Sequence, residues 1–322
     1  MGPGTVRGVR AHERRRPAVA LRAPVAAGGV AVHVPVLLDE VVWLLRPRAE
    51  GWMIDGTVGM GGHAEALLET TRPEVRLLGL DVDPEALARA RARLARFGDR
   101  VRLARGSFRR IDALAAAESI DRAAAVLLDL GVSSWQLESS GRGFSFQTSE
   151  PLDMRLDPAG AETAERLLNR LPEAELARLI AEHGDEPHAR RIARAVVRRR
   201  PLRTTDDLVA AVRAGVPRPA WPKRLHVATR TFQAVRMAVN DEPGALRQAL
   251  PAAAALLVPG ARLGVISFHS GEDRIVKLAF RSLAAGGAYA VVEPSPLMPG
   301  DDEARANPRA RSAKLRVLER VA

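Results

Sequence analysis

Three aspartates, Asp55, Asp81 and Asp129, each close a run of apolar residues, WMID, VRLLGLD and AAAVLLD. An acid there is placed to meet a ligand, because open α/β sheets bind in the crevice beyond the carboxyl ends of their strands. Asp55 is followed by a glycine-rich stretch, Gly56-Thr57-Val58-Gly59-Met60-Gly61-Gly62-His63. Glycines let the backbone turn sharply and approach a ligand, and a helix beyond them offers free N–H groups. Two cofactor classes compete for this pattern. A nicotinamide dinucleotide asks for G-x-G-x-x-G with an acid about twenty residues on, and Gly59-x-Gly61-x-x-Ala64 with Asp81 is a loose match. S-adenosylmethionine has no pyrophosphate but carries an ammonium group and a sulfonium. An acid just before the glycines suits that ligand and would crowd a pyrophosphate, and Asp55 is in that position. Asp81 then suits ribose hydroxyls, and Asp129 lies beside the methyl-donor end of the crevice. One such aspartate could merely cap a turn; three in register argue for a site.

The elements that must hold these residues follow from apolar period and punctuation. The pattern predicts a helix over Leu38–Leu45, a strand over Trp52–Asp55, a helix from His63 to Glu69 and a strand over Val75–Asp81. Asp83 and Pro84 then open a helix running to Phe97 as N-cap and N1 residues. Val101–Arg105 and Ala123–Asp129 are the next strands. Such alternation predicts an α/β fold with a Rossmann-like, doubly wound parallel sheet and right-handed crossovers. It lapses after Glu138, where a loop-like stretch to Pro158 precedes helical patterns at Thr163–Arg170, Pro172–His183, His188–Arg200 and Thr205–Ala214. Strand character resumes at Arg262–Phe268, then come a helix from Glu272 to Leu283, a short strand at Ala288–Val292 and a last one at Lys314–Leu318. The expected organisation is a basic, disordered extension over 1–32, a core over 33–137 and 228–322, and an all-helical insertion for substrate recognition over 138–227.

At 322 residues and 47% hydrophobic content the chain can build a large core. No stretch of about eighteen apolar residues runs free of charge or proline, and the Ala-rich run Ala249–Val258 is broken by Pro251, which excludes a membrane-spanning helix and a membrane partner. The absence of cysteine rules out disulfides, thiolate zinc sites and a cysteine nucleophile, and fits a reducing, cytoplasmic setting. Met1–Val32 is a poor secretory signal, interrupted by Pro17, Arg22, Pro24 and Gly28-Gly29. Those residues hold six Arg and one Glu, so they supply +5 of the formal +11. Only three of the 49 basic residues are lysines, the mark of an Arg-biased genome, so the distribution of charge says more than its total. From His188 to Arg230 twelve Arg or Lys face two acids, Asp206 and Asp207. Arg190, Arg194 and Arg198 recur at i+4 opposite Ile192, Val196 and Val197, which makes one helix face a candidate for gripping nucleic-acid phosphates.

Eight segments go beyond generic pattern: His33-Val34-Pro35-Val36-Leu37, Asp55-Gly56-Thr57 through Gly61-Gly62-His63, Leu127 to Ser134, Arg142-Gly143-Phe144-Ser145-Phe146, Pro151-Leu152-Asp153-Met154-Arg155, Ala228 to Arg236, Ile266-Ser267-Phe268-His269-Ser270, and Asn307 to Ser312. Together, and in this order, they resemble the bacterial 16S ribosomal RNA cytosine-N4 methyltransferase family, RsmH, formerly MraW. The resemblance runs from His33 to about Val317. It implies a class I S-adenosylmethionine-dependent methyltransferase core with a helical insertion, methylating N4 of a cytosine in the P-site decoding centre of 16S RNA on the assembled small subunit. Carried over by position, it places cofactor contacts at Gly62, His63, Ala64, Asp81, Phe108, Asp129 and Gln136, beside Asp55. Gly271 and Val227 depart from the family's usual residues, and the N-terminal tail has no counterpart.

The N4 lone pair of cytosine is delocalised, so the enzyme must align the amine and accept its hydrogens. Many amino-methyltransferases use an Asn or Asp-Pro-Pro-aromatic turn after the fourth strand; here the turn reads Asp129-Leu130-Gly131-Val132, which argues against ordinary DNA amino-methylation. The expected acceptor is the Asp129 carboxylate or a carbonyl of the turn, with Asp153 and His269 as further candidates. Phe144, Phe146 or Trp135 would stack on an unstacked base. Arg230 joins Arg190, Arg194 and Arg198 as RNA contacts. No metal is expected, since His33, His63 and His269 lie in separate segments. Methylation of another RNA base and a silent ribosome-assembly factor are the alternatives; a nicotinamide oxidoreductase fits Asp55 and the basic insertion poorly.

Overall fold

Buried on both faces, the apolar runs become strands with no polar alternation to read. The computed structural model describes residues 35–47, 50–132, 134–138, 140–223 and 225–322. The extension expected over 1–32, His33 and Ser133 lie outside them. Two compact units divide the chain, one reaching Gly131 and resuming at Pro243, the other spanning Val132–Glu242.

The first unit begins with α1 (Leu38–Leu45), β1 (Gly51–Asp55), α2 (Gly62–Thr70), β2 (Val75–Asp81), α3 (Pro84–Leu94), β3 (Val101–Arg105), α4 (Ile111–Ala117) and β4 (Ala123–Asp129). The second holds α5 (Ser134–Glu138), α6 (Ala164–Arg170), α7 (Glu173–Gly184), α8 (Ala189–Arg198), α9 (Thr205–Gly215) and α10 (Thr229–Val239). The first then resumes with α11 (Glu242–Leu256), β5 (Leu257–Ser267), α12 (Ser270–Ala285), β6 (Tyr289–Val291), α13 (Asp301–Ala306) and β7 (Lys314–Arg320). The strands form one sheet in the order β3-β2-β1-β4-β5-β7-β6. Pairing is parallel from β3 through β5, while β7 runs antiparallel to both β5 and β6. This is a Rossmann-like, doubly wound sheet, with one strand reversed against the all-parallel expectation. An antiparallel strand needs no right-handed crossover to pair with its neighbour, and the chain returns along β6 after passing through α13.

Alternate residues along each strand feed opposite cores. Met53, Leu77, Leu127 and Ile266 pack on one side of the sheet, and Ile54, Leu78, Leu128 and Val265 on the other. Pro251 does not end the Ala-rich run; it sits inside α11, on the solvent side, where the carbonyl its missing N–H leaves unpaired can turn to water.

The helical unit has its own core, in which Leu167, Ile180, Ile192, Val212, Phe232 and Val235 are buried. It is wider than the expected 138–227 because α10 packs onto α7 so closely that a Cβ on Gly184 would stand 2.6 Å from the Arg230 carbonyl oxygen. The segment Ala228–Arg236 read as a motif and not as a helix, so its membership of this unit was not legible.

Candidate active site

The strand order reverses between β1 and β4, and at such a switch point the carboxyl ends of the strands open a crevice. Asp55, 2% exposed, ends β1 in register with Leu127 of β4, and the Gly56 N–H extends the ladder by donating to the Leu127 carbonyl at 2.9 Å. A Cβ on Gly56 would meet Leu128 Cδ2 at 2.5 Å and Phe108 Cβ at 3.3 Å, so any side chain here would have to displace Leu128. Thr57 joins the strand ends. Its N–H donates to Asp55 Oδ1 at 3.1 Å, its hydroxyl lies 3.5 Å from the same oxygen, and that hydroxyl accepts from the Asp129 N–H at 2.6 Å.

The loop then crosses to β2, where the Gly59 N–H donates to Asp81 Oδ2 at 3.0 Å and the Asp83 N–H to Asp81 Oδ1 at 2.9 Å. Gly61 caps α2 at φ 82°, a conformation that costs other residues strain. The first N–H groups of α2, on Gly62, His63 and Ala64, have no acceptor within the helix. His63 is buried; its Nε2 lies 2.9 Å from the Val36 carbonyl oxygen and its Nδ1 3.6 Å from Asp129 Oδ2.

Burial sets the electrostatics. It pushes the Asp55 carboxyl up to about 7 against the opposing pull of His63 and the Thr57 N–H. Asp81 is raised to about 6 by burial, moderated by the N–H groups of Asp83 and Gly59. Burial raises Asp129 to about 7, with the nearby Glu272 charge adding to it and the Gly131 N–H opposing it. Burial pushes His63 down, while the Val36 carbonyl and Asp55 pull it back. Asp129 Oδ1 is buried without a hydrogen-bond partner. Buried acids whose ionised form needs a compensating charge, one of them with an unsatisfied oxygen, suit a cationic ligand carrying hydrogen-bond donors, and a pyrophosphate would make their ionisation harder still. The residues therefore fit S-adenosylmethionine and not a dinucleotide.

Phe108 follows β3 and lies against Gly56, at the crevice. His269 caps α12, accepting at Nδ1 from the Glu272 N–H at 3.3 Å. Its Nε2 is 3.0 Å from Glu272 Oε1 but off the line of a hydrogen bond, while Glu272 Oε2 accepts from the Phe268 N–H at 2.9 Å. A Cβ on Gly271 would press on His269 Nδ1 at 3.2 Å, so this departure from the family leaves the imidazole room. In the turn after β4, the Phe268 ring lies over Gly131, where a Cβ would approach it to 2.8 Å.

The remaining expected residues belong to the helical unit. Gln136 is buried on α5. Phe144 is a core residue, whereas Phe146, half-buried, stacks on His226 with centroids 4.5 Å apart and meets Phe232 edge-on. Both oxygens of Asp153 are engaged by Arg155, at 2.8 Å to Nε and 2.6 Å to Nη2, and this pairing holds its carboxyl below the usual range despite partial burial. Asp153 is thus an anion pinning a loop and a poor proton acceptor. Arg190, Arg194 and Arg198 are exposed along α8, with Arg194 reaching Glu173 at 3.4 Å, and Arg230 donates to the Asp185 carbonyl at 3.2 Å.

Asp55, Gly62, His63, Ala64, Asp81, Phe108 and Asp129 are thus brought to one rim of the sheet. Sequence reasoning gave no role to Thr57, Glu272 or the Val36 carbonyl. Thr57 was discoverable as a hydroxyl two residues after an acid at a strand end; nothing in the sequence singles out the other two. The helical unit also carries Trp221 beneath Arg218 and Arg213, 4.5 and 5.9 Å from its ring.

A family model described as the MraW methylase family matches residues 30–321. The protein named "Ribosomal RNA small subunit methyltransferase H" from Heliobacterium modesticaldum is 48% identical over 308 residues, 90% of this chain and 98% of that one. Proteins of the same name from Heliobacterium mobile and Geobacter sulfurreducens are 46% and 47% identical, each covering 90% of this chain and 99% of its own length. With the match running through both units and across every segment of the crevice, the chain belongs to the MraW methylase family.

Proposed function

We propose that this methylase, whose cofactor is S-adenosylmethionine, methylates N4 of a cytosine in the P-site decoding centre of 16S ribosomal RNA, acting in the cytoplasm on the assembled small subunit. The observation that carries the reading is Asp129 at the end of β4, one oxygen held toward His63 and the other buried and unpartnered. That oxygen is an acceptor in search of a donor, and an exocyclic amine brings two N–H groups. The names of the relatives supply small-subunit ribosomal RNA as the substrate class.

In this reading Asp55 holds the cofactor's cationic part, Asp81 the ribose hydroxyls, the α2 N-terminus at Gly62, His63 and Ala64 the approach of its backbone, and Phe108 an apolar wall, with Gln136 a further contact. The bound cofactor supplies an electrophilic methyl on sulfonium. Asp129 accepts an amine hydrogen, which frees the lone pair from the ring and orients it; alignment of this kind is worth up to about 7–11 kcal/mol. Phe146 offers a stacking face for the base. Arg190, Arg194, Arg198 and Arg230 meet RNA phosphates.

Labelled methyl transfer to small subunits from a strain lacking the family enzyme, with naked 16S RNA alongside, tests this. N4-methylcytidine, identified by mass spectrometry and formed on the particle, is expected. Another methylated nucleoside would refute the base assignment, and cofactor binding without transfer would favour an assembly role.

A further inference from the structure

The crevice holds one group that the reading above leaves with only a backbone contact to make. His63 is a buried imidazole set between two acids, and its geometry is that of a proton store. The Val36 carbonyl can only accept, so Nε2, 2.9 Å away, must carry hydrogen whether the ring is neutral or charged. In the neutral ring Nδ1 therefore holds a lone pair, and 3.6 Å from it lies a carboxylate oxygen of Asp129. Two acceptors face each other with room for one proton between them. The other Asp129 oxygen has no partner at all.

We propose, on the reading that the substrate is a nucleobase amine, that Asp129 and His63 form a two-station acceptor for the proton the amine loses. As the N–C bond to the methyl forms and the S–C bond breaks with its electron pair left on sulfur, the nitrogen gives one proton to the free Asp129 oxygen and keeps that N–H pair. Rotation of the carboxyl group then turns the protonated oxygen toward Nδ1, which takes the proton. Asp129 is restored as an anion beside an imidazolium, and water removes the proton when product leaves.

The surroundings match the stations to each other. Asp55 faces His63 and favours its charged form, Glu272 faces Asp129 and strengthens it as a base, and the charges of Asp129 and Asp81 both raise Asp55. His269 adjoins Glu272 from α12. Burial lifts Asp129 to about 7 and lowers His63 from 6.5, which makes Asp129 the first station to take the proton. A separation of 3.6 Å is long for a hydrogen bond, and contacts of this kind commonly tighten once substrate closes a site.

His63→Gln separates proton storage from structure, because its amide still donates to the Val36 carbonyl but cannot take a proton. Single-turnover transfer to small subunits at saturating cofactor is expected to slow by about 10–100-fold across pH 6–9, with the acid limb displaced and cofactor affinity kept within about threefold. Nitrogen NMR of the cofactor-free protein is the second readout. It should show hydrogen on Nε2 and a His63 midpoint that falls in Asp129→Asn, and it holds even where His63→Gln folds poorly. Wild-type rate and pH profile in His63→Gln, or a His63 midpoint indifferent to Asp129→Asn, overturns the pair. The product nucleoside keeps the two ideas apart: a methylated base other than cytosine refutes the substrate reading while the variant ratio still judges the pair. A wild-type protein that methylates no RNA overturns both.

Discussion

Asp55 shows how a single residue trades stability for binding. Its carboxyl is raised from 3.8 to about 7 by burial, so the native state keeps a proton that the unfolded chain gives up. Stability therefore falls as pH rises through that window, and the full penalty stands above it. A cation in the crevice reverses the balance, since it favours the ionised form. Asp55→Asn should accordingly melt higher than wild type without cofactor at pH 8, by roughly 2–4 °C, yet bind S-adenosylmethionine at least about tenfold more weakly, a loss of some 1.4 kcal/mol. Thermal melts and titration calorimetry read the two effects. An Asn variant that binds like wild type would remove Asp55 from cation recognition. Thr57 works beside it without titrating, its hydroxyl satisfying the Asp129 backbone and touching the Asp55 carboxyl at once.

Elements place these side chains, and their ends are where sequence acts most directly. The Asp83 side chain caps α3 while its own N–H fixes Asp81, so one short turn both starts a helix and orients a binding carboxylate. In the helical unit, Thr204 and Asp207 close a reciprocal capping box on α9: the Thr204 hydroxyl accepts from the Asp207 N–H at 3.3 Å, and the Asp207 carboxylate accepts from the Thr204 N–H at 2.9 Å. The N–H groups of Arg203 and Thr204, both donating to the Asp207 carboxylate, hold it below its usual range. Thr204→Ala should cost about 1 kcal/mol, within roughly 0.5–2, read as a lower urea midpoint at unchanged slope with cofactor binding intact. A shifted midpoint with weakened cofactor binding would instead tie α9 to the crevice.

At the scale of the whole chain, the formal charge of +11 is a long-range signal for a polyanion. Its useful part lies in exposed arginines such as Arg190, Arg194 and Arg198, whose apolar neighbours Ile192, Ala193 and Val196 are buried on the other side of α8. Binding to small subunits should weaken steeply with salt, each phosphate neutralised contributing about −0.7 to −0.9 to the log–log slope. Replacing the three arginines with alanine should flatten that slope by about two to three and leave cofactor affinity alone. A slope unchanged in the triple variant would move RNA contact to another surface, of which the arginine-flanked Trp221 is one.

The sequence by itself determined the parallel strands of the sheet though not the reversal of β7, the three acids that end β1, β2 and β4, the glycine turn and the basic helix, because apolar period, strand-end charge and glycine clusters are local signals. It did not determine where α10 belongs, since that helix is assigned by close packing on α7 across some fifty residues and not by its own pattern. Nor could it show that Pro251 is carried inside a helix, that Asp153 is spent on Arg155, or that Phe144 is core. Phe144 depends on which partners arrive from elsewhere in the chain, whereas the Asp153 pairing, with a residue only two positions on, depends on the conformation of its loop. The chemistry of the crevice was likewise settled only by tertiary structure. A carboxyl pushed to about 7 and an imidazole tied to the Val36 carbonyl are consequences of burial and of a partner 27 residues away, and neither burial nor a distant carbonyl is written in the residues that feel them.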